Sequence, residues 1–364
     1  MSTSNKRNII YIDILRILSI FVAIFAHTSE DGYFLFAKYA NNSMHFWFYL
    51  FIAIGCRFCI PVFFGISGIL LLGKEESLKK LWTKRIIPMF LIFIVISFLY
   101  YIEYLLRSTD GIQAFSLHDF LITFYCGVHK AQLWYLGEYI IFLICIPFLR
   151  ALVKSLEAKY YYYLLAIAVI FKLLPIIEYI LWNGNYTLYY QFKPTWLLSN
   201  VVLFPLTGYF LHNYVNNTQI KKILAPTWIL YFVVTVLSCY ATYILGINLG
   251  QYSEATSQYF FDNTTIVSAF VVFITFKYLC SFTNFRPVIS SFISLLGKLT
   301  FGTYLLHFFL LDINFIRNIL YKFQAGAIND LFASLVYSFI ILILSYLSSY
   351  IISKIPFIKK IIGF

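Results

Sequence analysis

The chain has 364 residues, 61% of them hydrophobic and 12% charged, with a formal net charge of +12. Its mean hydropathy of +0.82 excludes an ordinary soluble domain. The basic residues lie in short connections between apolar stretches, so the charge reads as membrane topology and not as a nucleic-acid-binding surface.

Apolar stretches of about 20 residues recur along the whole length, which predicts an all-α polytopic membrane protein. Forty Phe and thirty-one Tyr suit aromatic belts at both membrane interfaces. Ten spans are expected, at 9–28, 46–72, 86–106, 133–152, 160–182, 195–213, 227–247, 264–282, 299–313 and 331–353. With the N-terminus in the cytoplasm, the inner segments and their edges hold eighteen Lys and Arg, against six in the outer segments. That excess puts both termini in the cytoplasm of a multi-pass plasma-membrane protein. No period of 20–50 residues repeats and no soluble domain is appended, so residues 1–364 read as a single membrane-embedded domain.

The first span carries Asp13, Arg16 and His27. Lys6 and Arg7 before an apolar run suggest a signal peptide, but Asp13 and Arg16 interrupt that run, and the span is expected to be retained. Each ionisable group is costly in hydrocarbon and marks a cavity or a partner. An offset of eleven residues returns to within roughly 20° of the same face, which sets Arg16 and His27 about 16 Å apart along one stripe. Asp13 pairs with Arg16 at i, i+3. His27, at the outer end, is placed to act as general base on a hydroxyl or to carry an acyl group. The plainer alternative is an interfacial His bonded to a neighbouring helix. Glu103, Glu138 and Glu178 all lie near the outer boundary, and any one of them could orient it.

Arg57 falls within the second span, where Asp13 is a candidate partner, either as a functional pair or as a structural one. Pro61, Gly65 and Gly68 permit a kink and close helix approach. Cys56 and Cys59 form a lone C-x-x-C that reads as small core residues, and no metal-ligand set is expected. Beyond this span comes a basic loop in which Lys79 and Lys80 read as anchors. Lys84-Arg85 closes that loop, and Arg85 reads equally as an anchor or as a contact for a phosphate-bearing donor. Ser116 to Asp119 resembles a helix start in the longest outer connection.

The fourth span opens with Leu133-Trp134-Tyr135-Leu136 and Glu138, a candidate aromatic platform for a sugar acceptor. The ninth begins near Gly297 and carries His307, read as a hydrogen-bonded structural histidine. There is no phosphate-binding G-x-x-x-x-G-K-[ST], dinucleotide fingerprint, H-E-x-x-H or G-x-S-x-G.

Five motifs in order resemble acyltransferase family 3, the integral-membrane acyltransferases that O-acetylate surface glycans. They are Tyr11 to Arg16 with His27; Arg57 to Gly68; Lys84-Arg85-Ile-Ile-Pro88; Leu133 to Leu136; and Gly297 to His307. The likeness covers most of the chain and is nearest to short members of the enterobacterial-common-antigen O-acetyltransferase type. It implies a ten-helix core that takes an acyl group, usually acetyl from cytoplasmic acetyl-CoA, and passes it to a carbohydrate hydroxyl outside. Acetyl-CoA is then a substrate, and no permanently bound cofactor is expected. On this resemblance His27 matches the essential histidine, Arg16 its partner arginine and Arg85 the inner basic motif. Asp13 joins the catalytic line; Arg57, Lys84 and Arg85 serve the acyl donor; Trp134, Tyr135 and Glu138 serve the acceptor. Many relatives have His directly before Leu-Trp, where this chain has Gln132, with His129 three residues earlier. The rival reading is a transporter or flippase of a glycan or lipid-linked intermediate.

Overall fold

The computed structural model describes residues 3–39, 43–109, 111–324 and 326–355, and within them every regular element is helical. The first helix, α1 (Thr3–Ala26), is followed by short turns and then by α2 (Met44–Gly55) and α3 (Cys59–Leu71). The short α4 (Leu78–Leu81) runs through a π-turn at Trp82–Ile86 into α5 (Ile87–Arg107). Next come α6 (Leu117–Cys126), α7 (Trp134–Ser155), α8 (Ala158–Trp182) and α9 (Asn200–Asn213). The chain continues through α10 (Asn217–Leu249), α11 (Glu254–Gln258) and α12 (Phe261–Phe282). It closes with α13 (Pro287–Leu311), α14 (Asn314–Phe323) and α15 (Ala327–Ser353).

Eight helical segments among the described residues are long and apolar enough to cross a membrane. They correspond to eight of the ten expected spans. The other two are helical but fall outside that set: 9–28 is α1, and 195–213 is α9. At 14 residues α9 is about 21 Å long, short of a hydrocarbon core of about 30 Å.

Two boundaries differ from expectation for identifiable reasons. The span expected at 299–313 starts at Pro287, with Pro in the first helical turn. The polar dip at Gly297-Lys298 lowers local hydropathy but leaves the backbone ladder intact, so Lys298 lies inside a helix and not in a loop. The second span breaks at Cys56–Phe58, dividing α2 from α3. Pro61 has no N–H for the Arg57 carbonyl, and the helix restarts beyond the break. In the longest connection α6 forms where expected, with Ser116 accepting from the Asp119 amide at 3.1 Å.

The bundle is built around α1, which packs on α3, α12, α13 and α15. Against α3 lies α9, so close that a Cβ on Gly68 would run into the Pro205 backbone and one on Gly208 into the Gly65 backbone. Without a hydrophobic force between helices in lipid, such small-residue contacts supply the packing. The contact of α13 on α1 is made the same way, since a Cβ at Gly297 would meet the Asp13 carboxylate.

Candidate active site

Arg16 projects from α1 into a cavity of about 560 Å³. Its guanidinium is held by Asp13 at 2.9 Å, and Asp13 also accepts from Ser294 of α13 at 3.0 Å. The expected i, i+3 pair therefore forms. The carboxylate is the buried partner and the guanidinium the more open one, so the pair presents its positive end to the cavity. Lys74, Arg85 and Lys298 line the same space, with Tyr135, Tyr139, Phe301 and Tyr304 among its walls. Four cations thus face aromatic and aliphatic walls across one cavity.

Arg85 is steadied by Glu76, whose carboxylate accepts from its Nε at 2.9 Å and from Arg150 at 3.2 Å. Arg150 also donates twice to the Leu71 carbonyl, tying α7 to the end of α3. Burial by itself would raise the Glu76 carboxyl, but the hydrogen bonds and charges of Arg85 and Arg150 outweigh it and hold the group below its ordinary value. Lys84, next to Arg85 in the sequence, is exposed and does not line the cavity. The π-turn re-aims successive side chains, and the two residues face different ways.

Arg57 does not meet Asp13. It is fully buried at the α2–α3 break, donating to the carbonyls of Ala53 at 3.3 Å and Ser257 at 2.5 Å, with its guanidinium over the Phe261 ring. One carbonyl comes from the last turn of α2 and the other from α11, and they leave its Nη1 buried without a hydrogen bond. Arg57 does not line the Arg16 cavity.

His27 follows the last turn of α1 and lines a second, smaller pocket of about 190 Å³. Thr28, Ser29, Asp31, Asp312 and Arg317 share that pocket. Asp31 pairs with Arg317 at 2.9 Å and with Lys38 at 3.2 Å, and Asp312 pairs with Lys130. The pocket is thus rimmed by carboxylates and cations, with His27 at its edge.

The side chain stacked on His27 is His307, and no carboxylate is hydrogen-bonded to His27 among the described residues. The two imidazoles stack at 5.4 Å between ring centroids, and Phe308 packs on His27 at 4.5 Å. His307 is fully buried, and its Nδ1 lies 2.7 Å from the Tyr304 carbonyl. A carbonyl can only accept, so the hydrogen bond assigns the proton to Nδ1 and leaves Nε2 as an acceptor. Tyr304 in turn lines the Arg16 cavity and donates to the Gln132 carbonyl at 2.7 Å. Tyr304, His307 and His27 therefore form a layer between the cavity and the His27 pocket, which share no lining residue.

None of the three glutamates serves His27. Glu138 accepts from Asn200 at 3.0 Å, Glu178 from the Leu188 amide at 2.8 Å, and Glu103 from Arg107 at 2.8 Å. They lie on α5, α7 and α8, whereas α1 packs chiefly on α3, α12, α13 and α15. The aromatic platform is also divided. Trp134 is 38% exposed, while Tyr135 is buried in the cavity wall beside Phe64 and Tyr304. Adjacent helical positions diverge by about 100°, so the two rings face different surroundings. His129 stacks on Phe120 of α6 and does not reach His27.

Sequence reasoning passed over Lys74 and Lys298 as topological charges. The reading of His307 as a hydrogen-bonded structural histidine agrees with its burial and its bond to the Tyr304 carbonyl.

No curated protein and no solved structure matches the chain. The model of the acyltransferase domain of acyltransferase family 3 matches residues 9–354, nearly the whole length, and the chain accordingly belongs to that family as a multi-pass membrane acyltransferase.

Proposed function

We propose that the protein transfers an acyl group, acetyl from cytoplasmic acetyl-CoA, to a hydroxyl of a surface or lipid-linked polysaccharide at the plasma membrane. The observation that carries this reading is the layer of His27, His307 and Tyr304 between a four-cation cavity and a separate polar pocket. Arg16, Lys74, Arg85 and Lys298 suit the phosphates of coenzyme A, and the aromatic walls suit its adenine and pantetheine arm. Asp31 and Asp312, beside His27, suit the hydroxyls of a sugar. The acceptor oxygen attacks the thioester carbonyl carbon, His27 takes the hydroxyl proton, and the C–S bond breaks to release coenzyme A as a thiolate. The thioester is already activated, so no nucleotide hydrolysis is needed. In a two-step variant His27 first accepts the acyl group and then yields it to the hydroxyl.

The cytoplasmic placement of both termini and of the Glu76 loop follows from the Lys and Arg bias. Transport is the weaker reading, because the cavity and the outer pocket do not merge into one passage. Mass spectrometry of surface glycans with and without the protein tests the proposal, together with coenzyme A release by the purified chain. Loss of O-acetyl groups on deletion is expected. Unchanged glycans and no thioester consumption would overturn it.

A further inference from the structure

His27 is the first residue beyond α1, and its amide still bonds back to the Ala23 and Ile24 carbonyls at 3.2 Å. Its ring stacks on His307 and packs on Phe308, contacts that set the plane of the imidazole. Where the ring nitrogens sit within that plane depends on the backbone at residue 27, just where the helix ends. The next side chain fixes that backbone. The Thr28 hydroxyl donates to the Phe25 carbonyl at 2.6 Å and accepts from the Tyr33 amide at 3.0 Å. Thr28 is buried, so neither bond competes with water.

Both ends of this clamp are anchored. The Tyr33 hydroxyl donates to the Ala53 carbonyl of α2 at 2.6 Å, and the Phe25 and Tyr33 rings meet edge to face at 5.4 Å. The space around the Thr28 hydroxyl is closed as well. A Cβ on Gly32 would stand 2.2 Å from its Oγ1 and 2.7 Å from the Ser334 Cβ of α15. Between Thr28 and Gly32, Ser29 is held at φ 50°, in the left-handed region that residues with side chains seldom enter. A turn kept against that local preference is over-determined by its surroundings, and such backbone gathers where a side chain must be aimed.

We propose that Thr28 is a positioning residue for acyl transfer, its hydroxyl clamping the end of α1 to the Tyr33 amide so that His27 meets the acceptor hydroxyl at the required place. The inference rests on the reading that His27 takes the proton or carries the acyl group, and it adds a residue that acts through His27. Reacting groups must lie about 3–3.5 Å apart, and a misplacement of about 1 Å can cost about 10²-fold in rate. The Arg16 cavity shares no lining residue with this turn, so the clamp bears on transfer and not on donor binding.

The test uses the purified full chain in phosphatidylcholine nanodiscs, with acetyl-CoA and surface glycan extracted from cells lacking the protein. Thr28→Val keeps the shape of the side chain and removes both hydrogen bonds. It should lower kcat about tenfold or more while the KM for acetyl-CoA stays unchanged. Thr28→Ser keeps the hydroxyl and should restore most of the wild-type kcat. If Thr28→Val does not fold, Thr28→Cys takes its place, since its thiol is a weaker donor and acceptor at the same position, and kcat should fall by a smaller factor. Wild-type kcat in the substituted protein would overturn the inference. So would a KM for acetyl-CoA that rises as kcat falls, or a Thr28→Ser protein as impaired as Thr28→Val. The underlying reading fails by a different result, a His27→Ala protein that retains full acetyl transfer.

Discussion

The imidazoles of His27 and His307 stack, 5.4 Å between centroids and 29° from parallel, at the boundary between the Arg16 cavity and the His27 pocket. One ring stands just beyond the end of α1 and the other is buried within α13. Their contact joins the two ends of the sequence at the point where transfer is proposed.

His27→Ala should abolish acetyl transfer while the protein elutes and expresses normally, because His27 borders a pocket and not the core. Loss of general-base help typically costs about 10²–10⁴-fold. His27→Gln should be equally impaired, since its amide neither accepts a proton at neutral pH nor carries an acyl group. Near-normal turnover of His27→Gln at saturating acetyl-CoA would make the residue structural.

If His307 is a positioning residue for His27, its loss should act on kcat and not on donor binding. His307→Asn keeps a donor for the Tyr304 carbonyl but loses the ring that stacks on His27. We expect kcat to fall tenfold or more with the KM for acetyl-CoA unchanged. A matching rise in KM would place His307 in donor binding instead.

Arg85→Ala and Lys298→Ala should each raise the KM for acetyl-CoA, and Lys84→Ala should not. A charge-assisted contact is worth about 1.5–3 kcal/mol, which corresponds to about tenfold or more. Steady-state kinetics on the three variants decides the matter. Equal, small effects would return Arg85 and Lys298 to the role of topological anchors.

Acid should weaken the Arg85–Arg150 cluster through Glu76. Its carboxyl is held below the ordinary value, so the unfolded chain binds the proton more readily. Its contribution is complete above the ordinary glutamate value of about 4.3 and is lost as pH falls through the lower folded value. Thermal unfolding should show that loss in wild type and a shallower one in Glu76→Gln, with Arg85, Arg150 and Lys74 the charges facing the site. An identical acid profile in the variant would refute it.

Topology is checked by labelling intact cells. In a Cys126→Ser background, His118→Cys on the exposed face of α6 should react with an impermeant maleimide, and Lys79→Cys should not. The reverse pattern would invert the donor and acceptor sides.

The sequence by itself determined what is local or compositional: the helical membrane class, the family, the Asp13–Arg16 pair and the Ser116 helix start. The pair and the helix start follow from residues three apart on one element, the class from hydropathy summed over a window, and the family from five motifs in order along the chain. The tertiary structure decided which charges converge. Asp13 meets Ser294 from 281 positions away, Glu76 gathers Arg85 and Arg150 from separate helices, and Lys298 turns from a presumed loop charge into a cavity wall. It also gave Arg57 backbone carbonyls in place of Asp13, and His27 a histidine in place of a glutamate. Helical periodicity tells which residues share a face. Which faces meet depends on where small residues such as Gly68, Gly208 and Gly297 let backbones approach, and that is a property of the packed bundle.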